Sequence, residues 1–499
     1  MAPLRGGART PAVRRRTAAT VFLPLLLVLS GACIRDSGRT EAGADQGDGG
    51  DRQGGAALPP APHPLPEAAD GGALHDPSEG EAAAAGPSGG PEADGPAGDP
   101  VPAAARAAAP PPPPPVPLPE PGARPRFEPP EAVRGLYLNA WASGSARRMD
   151  GFLALARETE VNTFVLDMKD ASGYVSYASG VPAVRESGAL GELRIRDLSG
   201  LLRRLEAEGV YPVARIVIVK DPLAAAAHPG WAVQDTAGGV WVDSKGIVWL
   251  NLYDRRVWEY HVALAEELVR LGFPEIQWDY VRFPDAPESD MARAVFPGDS
   301  LGTRAEAVRR FLEFAGDRLR AVDPEVRMTA DVFGVTTTFR RDVGIGQLWE
   351  RFIDRVDAAL PMVYPSHYWE GSYGFRDPNA HPYEVVKRAL EDAVRRSDAV
   401  EGAGRVIPWL QDFTLGAPRY ESAEVRAQIQ AAYDAGVEEW ILWNPGSRYT
   451  VAALEPEEGF HLEPLLRVGG EVVPVSERFA ALERADRRRA EADSVAGQK

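Results

Sequence analysis

The sequence predicts a single (β/α)8 TIM barrel, an α/β fold, and three observations carry that expectation. Eight short apolar runs recur from residue 133 onward, amphipathic stretches separate them, and acidic residues gather where several of the runs end. Apolar runs alternating with helical stripes mark a parallel sheet covered by helices. Eight such units in succession point to a closed barrel rather than an open sheet.

The strand candidates are 133–141, 162–170, 211–221, 275–283, 327–335, 357–364, 405–413 and 438–444. Between them, apolar residues recur at helical spacing. Leu198, Leu201, Leu202 and Leu205 form one stripe; Val308, Phe311, Leu312, Ala315 and Leu319 form another. Ser422 is placed as the N-cap of a helix carrying Val425, Ile429, Ala432 and Tyr433. The segment after the eighth strand has the faintest helical pattern. Beyond about residue 467 the tail is polar and charged, with an exposed helix expected around 477–492. Four loops leaving strand C-terminal ends are long: 171–196, 222–252, 284–303 and 365–382. In a barrel of this type the active site is built from those loops.

Ahead of the barrel the chain changes character. Five arginines precede the apolar run 21–29, and small residues then lead into Cys33. A basic start, a short apolar stretch and small residues at a cut site describe a signal peptide. The stretch is too short to span a bilayer as a stable helix. Small residues before a lone cysteine resemble a bacterial lipoprotein signal, with Cys33 lipidated, although Ser30 stands where Leu is usual. Residues 33–128, rich in Ala, Gly, Pro and Asp, lack the apolar side chains needed to offset folding entropy. The expected organisation is a signal peptide at 1–32, a disordered low-complexity linker at 33–128, the barrel at 129–466 and a polar tail at 467–499.

Composition narrows the function. A net charge of −17 over 499 residues argues against nucleic-acid binding, which needs a basic face. One cysteine rules out an intrachain disulfide and a thiolate cluster. The barrel's histidines (His228, His261, His367, His381, His461) show no pair at ligand spacing, so no metal and no cofactor is expected. A Gly-x-Ser-x-Gly elbow and a phosphate-cradling glycine loop are also missing from the sequence.

The acidic residues carry the chemistry. Asp167 lies in the run 166–170 that ends the second strand, Asp279 in the fourth strand, Asp331 in the fifth and Asp412 in the seventh. A carboxylate in an apolar strand costs several kcal/mol unless paired or hydrated, and a barrel's catalytic rim permits both. Glycosidases need two carboxyl groups across the scissile bond, an acid and a nucleophile or base. Asp279, Asp331 and Asp412 are the candidates. Salt bridges or helix caps are the plainer roles for the same residues. Aromatics crowd the same loops, among them Trp231, Trp241, Trp249, Tyr364, Trp369, Trp409 and Trp443. Sugar rings stack on such surfaces, while ordinary packing accounts for others, Trp278 and Trp440 included.

Several of these segments together resemble a bacterial glycosyl hydrolase domain family long catalogued as a domain of unknown function. They are 166–173, 214–222, 275–284, 330–334, 361–368, 408–413 and 440–444, in order across nearly all of 134–454. The resemblance implies a TIM barrel related to α-amylase-type glycosidases, with the fourth-strand Asp279 as nucleophile. Gln277 stands where those enzymes carry an Arg, and Asp331 where they carry a Glu acid.

The expected mechanism is retaining glycoside hydrolysis by an exported, lipid-anchored, monomeric protein of the cell envelope. Asp279 attacks the anomeric carbon while Asp331 acts as acid and then base. Asp167, Lys169, Arg215, Tyr364, His367, Trp409 and Trp443 bind a poly- or oligosaccharide. The rival expectations are a surface glycan-binding protein that kept the barrel without turnover, and an envelope-assembly scaffold.

Overall fold

The computed structural model describes residues 112–120 and 122–455, together with parts of the stretch from 465 to 488. The leader, Cys33 and the linker up to residue 111 lie outside the described residues, as does most of the helix expected around 477–492.

The eight expected strands form one closed parallel barrel. They are β1 (Arg134–Leu138), β2 (Thr163–Lys169), β3 (Tyr211–Val217), β4 (Glu275–Asp279), β5 (Arg327–Phe333), β6 (Ala358–Met362), β7 (Trp409–Gln411) and β8 (Trp440–Trp443). Each pairs with the next, and β8 pairs with β1 through Arg134↔Trp440. The seam between β6 and β7 is thin. It consists of Trp409↔Met362 and the two residues Arg405–Val406, which add to β6 before β7 begins.

The covering helices are α1 (Ala146–Glu158), α2 (Leu198–Ala207), α3 (Arg255–Leu271), α4 (Arg304–Val322), the short α5 (Trp349–Phe352), α6 (Pro382–Ser397) and α7 (Ser422–Asp434). Local chemistry sets their ends. Thr303 accepts a hydrogen bond from the Glu306 amide to start α4, and Gly272 at φ 119° stops α3 in a conformation that glycine adopts without strain. The cap of α7 is Glu421 rather than the expected Ser422. Its side chain and that of Glu424 satisfy each other's backbone amides in a capping box. Between β8 and residue 455 the chain forms a 3-10 turn, Val451–Ala453.

Side chains alternate along each strand. One set (Val133, Tyr137, Val165, Val213, Leu360, Ile407, Trp409, Ile441 and Trp443 among them) fills the barrel's interior. The other set joins the helices in a larger outer core that includes Leu136, Phe164, Ile216 and Leu442. Described residues on either side of the barrel extend the packed unit. Val116 donates its amide to the Ala178 carbonyl (2.8 Å), Arg126 donates its amide to Glu206, and Arg124 pairs with Asp323. The end of the Pro-rich stretch therefore lies along the barrel wall. Beyond it, an antiparallel hairpin of Leu465–Val468 with Glu471–Pro474 crosses the expected start of the tail.

The loops after β3 and β4 are joined into one wall. Gln234–Asp235 pairs with Ala294–Val295, and Asp290 accepts the Ser244 amide and, through its carbonyl, the Trp241 indole. Trp241 and Trp249 are buried in that wall and serve packing.

Candidate active site

Strand register assembles the site. The pairing Trp278↔Ala330 brings Asp279 beside Asp331 on the neighbouring strand, and neighbouring strands lie about 4.8 Å apart. Period-2 alternation turns both carboxyls inward, near the C-terminal end of the barrel. Asp167↔Arg215 on β2 and β3 supplies the next pair round the ring.

Arg215 ties three of these carboxyls together. Its Nη1 pairs with Asp167, its Nε donates to Asp279 Oδ2 at 3.0 Å, and its Nε stands 3.8 Å from Asp331 Oδ2. A second donation, from Nη2, also reaches Asp279. The guanidinium lies over the Tyr137 and Trp443 rings, 5.4 and 5.1 Å from their centroids. Those two rings stack at 3.9 Å, and Trp409 meets Trp443 edge-on at 5.4 Å. All of these groups are buried, so each charge interaction acts in a low dielectric where it is strong. Burial opposes the charge on Arg215, but Asp167 and Asp279 outweigh it and hold the guanidinium well above its ordinary pKa.

The carboxyls have different surroundings. Asp331 Oδ1 accepts hydrogen bonds from Trp409 Nε1 (2.7 Å) and Gln277 Nε2 (2.9 Å); Oδ2 accepts from Gln277 alone (3.0 Å). Burial, then the neighbouring Asp279 charge, push the Asp331 pKa well above the usual carboxylate range, against the opposing pull of Arg215. Its surroundings therefore favour the protonated form of Asp331, with Oδ2 the less committed oxygen. Burial also raises Asp167, whose Oδ2 accepts the Tyr137 hydroxyl. Asp279 receives two donations from Arg215 and, on Oδ1, the Tyr280 amide at 2.6 Å. Tyr280 adopts φ 54°, a left-handed conformation that is uncommon for a non-glycine residue. Such strain is concentrated at functional sites, and here it points the amide back at the carboxylate.

Most of the expected site residues meet here: Asp279, Asp331, Asp167, Arg215, Trp409 and Trp443. Tyr364 joins them, its phenol pushed up by burial and by the Asp331 and Asp279 charges. His367 stands at the mouth, half-buried, 5.5 Å from the Tyr364 ring and with Nδ1 2.9 Å from Ser366 Oγ. Two residues lie elsewhere. Asp412 directly follows β7, on the side opposite to Trp409 and Gln411, and Thr450 donates to its carboxylate from both the amide (2.8 Å) and the hydroxyl (2.6 Å). It ties down the loop after β8. Lys169 follows a register shift after Asp167, which turns it out of the barrel. There it is fully buried, 2.9 Å from Asp221 and near the Tyr260 ring of α3.

Tyr137, Gln277 and Gln411 are site residues that sequence reasoning did not select. Each sits at an inward position of its strand, and period-2 alternation alone was enough to find them. Gln411 accepts the Ser366 hydroxyl at 2.8 Å and so fixes the loop that carries His367. Among the described residues no cluster of His, Cys, Asp or Glu is arranged to hold a metal ion.

A family model described as "Putative glycosyl hydrolase domain" matches residues 135–449. No curated protein matches the chain. Among solved structures, a hypothetical protein from Ruminiclostridium thermocellum is 36% identical over 40% of this chain and 97% of its own, with a TM-score of 0.36. The glycoside hydrolase domain of PgaB (BpsB) from Bordetella bronchiseptica is 11% identical over 63% of this chain and 95% of its own, TM-score 0.46. Alpha-L-fucosidase isoenzyme 2 from Paenibacillus thiaminolyticus is 17% identical over 64% of this chain and 48% of its own, TM-score 0.44.

Proposed function

The chain belongs to the family of glycosyl hydrolase domains whose model spans residues 135–449, and from that premise we propose that it is a retaining glycoside hydrolase acting on a poly- or oligosaccharide. Asp279 is the nucleophile, attacking the anomeric carbon. Asp331 protonates the leaving oxygen and then, as its carboxylate, takes a proton from the incoming water. The observation that carries this reading is the unequal environment of two neighbouring carboxyls. Asp279 is held by the Arg215 guanidinium, while Asp331 is pushed towards its neutral form. Two titratable groups whose surroundings separate their protonation states are how one site holds an acid beside a nucleophile.

Spacing supports retention over inversion. Retaining enzymes place the two carboxyl groups about 5–5.5 Å apart, inverting ones about 6.5–9.5 Å apart. Adjacent strands in matched register, with one Arg215 nitrogen 3.0 Å from one carboxylate and 3.8 Å from the other, favour the shorter class. Arg215, Asp167 and Tyr137 keep Asp279 oriented; Tyr364 and His367 stand where sugar hydroxyls need partners. Export and a lipid anchor at Cys33 complete the proposal on the strength of the leader's sequence, with the envelope as the place of action.

The test is hydrolysis of a panel of polysaccharides and aryl glycosides by the full chain, wild type beside Asp279→Asn. Turnover by the wild type, lost in a folded variant, supports the reading. No turnover by either, with equal glycan binding, replaces it with a binding protein on a barrel scaffold.

A further inference from the structure

Eight of the eleven tryptophans are buried, including the Trp409 and Trp443 that the sequence placed on the sugar. Two others stand out in the opposite sense. Trp141 is 61% exposed and Trp369 is 40% exposed, and both sit on segments leaving the C-terminal ends of strands, β1 and β6. Between them, the arc of the barrel from β2 to β5 carries Asp279 and Asp331.

Trp141 is held as a fixed plate. The Arg194 guanidinium lies 5.3 Å from the Trp141 ring and 5.5 Å from that of Tyr174. Arg194 is itself nearly buried, 6% exposed, and paired with Asp170 and with Glu192 at 2.9 Å. Asp170 also accepts the Ser172 amide at 3.0 Å. It directly follows β2, and its charge is felt by Asp167 and Tyr137, so the stack adjoins the catalytic cluster. Trp369 is supported edge-on by Phe339 at 6.2 Å. Each ring is thus braced from within and keeps a face open to water.

We infer that Trp141 and Trp369 are outer sugar-stacking platforms on either side of the carboxylate pair, so that the substrate is a polysaccharide chain lying across the mouth rather than a mono- or disaccharide. This rests on the glycosidase reading above and extends it to substrate length. Pyranose rings present apolar C–H faces to an indole, and the cleft's polar groups then set register.

The experiment compares wild type, Trp141→Ala, Trp141→Phe and Trp369→Ala, all as full chains. Retardation is measured in native gels containing xylan, carboxymethyl cellulose, glycol chitosan or dextran. Kinetics are measured on the retarding polymer and on an aryl glycoside. Loss of one platform is expected to weaken gel affinity about tenfold and to lower the polymer-to-aryl-glycoside ratio of kcat/KM similarly, with Trp141→Phe between wild type and alanine. Unchanged retardation in both alanine variants, or an unchanged ratio, overturns the inference. Wild-type retardation without turnover on any substrate, lost in Trp141→Ala, would leave the platforms standing and sink the hydrolase reading instead.

Discussion

Replacing Arg215 by methionine tests whether one guanidinium organises the centre. Among the described residues it is the cation that contacts Asp167, Asp279 and Asp331, all three buried. Methionine roughly keeps the aliphatic stem and removes the charge. Breaking a buried ion pair by deleting one partner costs about 3–5 kcal/mol, against a total stability of about 5–15 kcal/mol. The carboxyls can recover part of that by binding protons, at 1.36 kcal/mol per pKa unit. Asp167 and Asp331 are already raised by burial while Arg215 pulls them down, so its loss raises both further. A carboxyl raised in the folded state favours folding below its unfolded value near 4 and loses that contribution as pH rises through the folded value. The deficit of Arg215→Met should therefore be about 3–5 kcal/mol at pH 8 and clearly smaller at pH 5, read by urea unfolding with linear extrapolation. Adding Asp279→Asn should return part of the pH 8 deficit, because one uncompensated charge disappears. An equal deficit at both pH values, or no recovery in the double variant, would refute an electrostatic role for Arg215 in this cluster.

Asp331→Asn should lower kcat/KM by about 10²–10⁴. Because Asp331 must be protonated to act as acid, wild-type kcat/KM should fall as pH rises through its raised pKa, and that alkaline limb should vanish from the variant's pH–rate profile. Asp412→Ala should destabilise the loop after β8 by about 1–3 kcal/mol through its two lost Thr450 hydrogen bonds. Its kcat should stay within a few-fold of wild type, whereas a loss of several orders of magnitude would return Asp412 to the chemistry. Glu275 lies at the opposite end of the barrel interior, where burial raises its pKa from 4.5 to about 7. Its contribution to stability is complete below pH 4.5 and lost as pH rises through 7, amounting to about 3 kcal/mol. Glu275→Gln should flatten the pH dependence of unfolding over that window; an unchanged slope would contradict the shift.

The barrel was legible because its determinants are local. Strand 275–283 was read from an apolar run, and the structure keeps Glu275–Asp279 as strand before the tight turn at Tyr280. The four-residue leucine stripe at 198–205 became the buried side of α2. Boundaries were less secure where a side chain outside the pattern took over, as when Glu421 displaced Ser422 as the cap of α7. Within the site, Asp279, Asp331, Asp167 and Arg215 were selected because charge in an apolar strand is costly without a partner. The same rule selected Lys169 and Asp412, which have partners too, but away from the centre. One dimension of sequence shows that a buried charge must be paired; it does not show with what.

By itself, the sequence determined the strand count, the inward and outward alternation, and the end of the barrel where carboxylates collect. These depend on periodicity and on the cost of burying charge, both of which are written along the chain. Only the tertiary structure decided which carboxyls share a guanidinium, that a register shift turns Lys169 away, and which tryptophans remain open to solvent. Those outcomes depend on contacts between strands and loops far apart in sequence, where a displacement of one residue moves a side chain to the other face of the sheet.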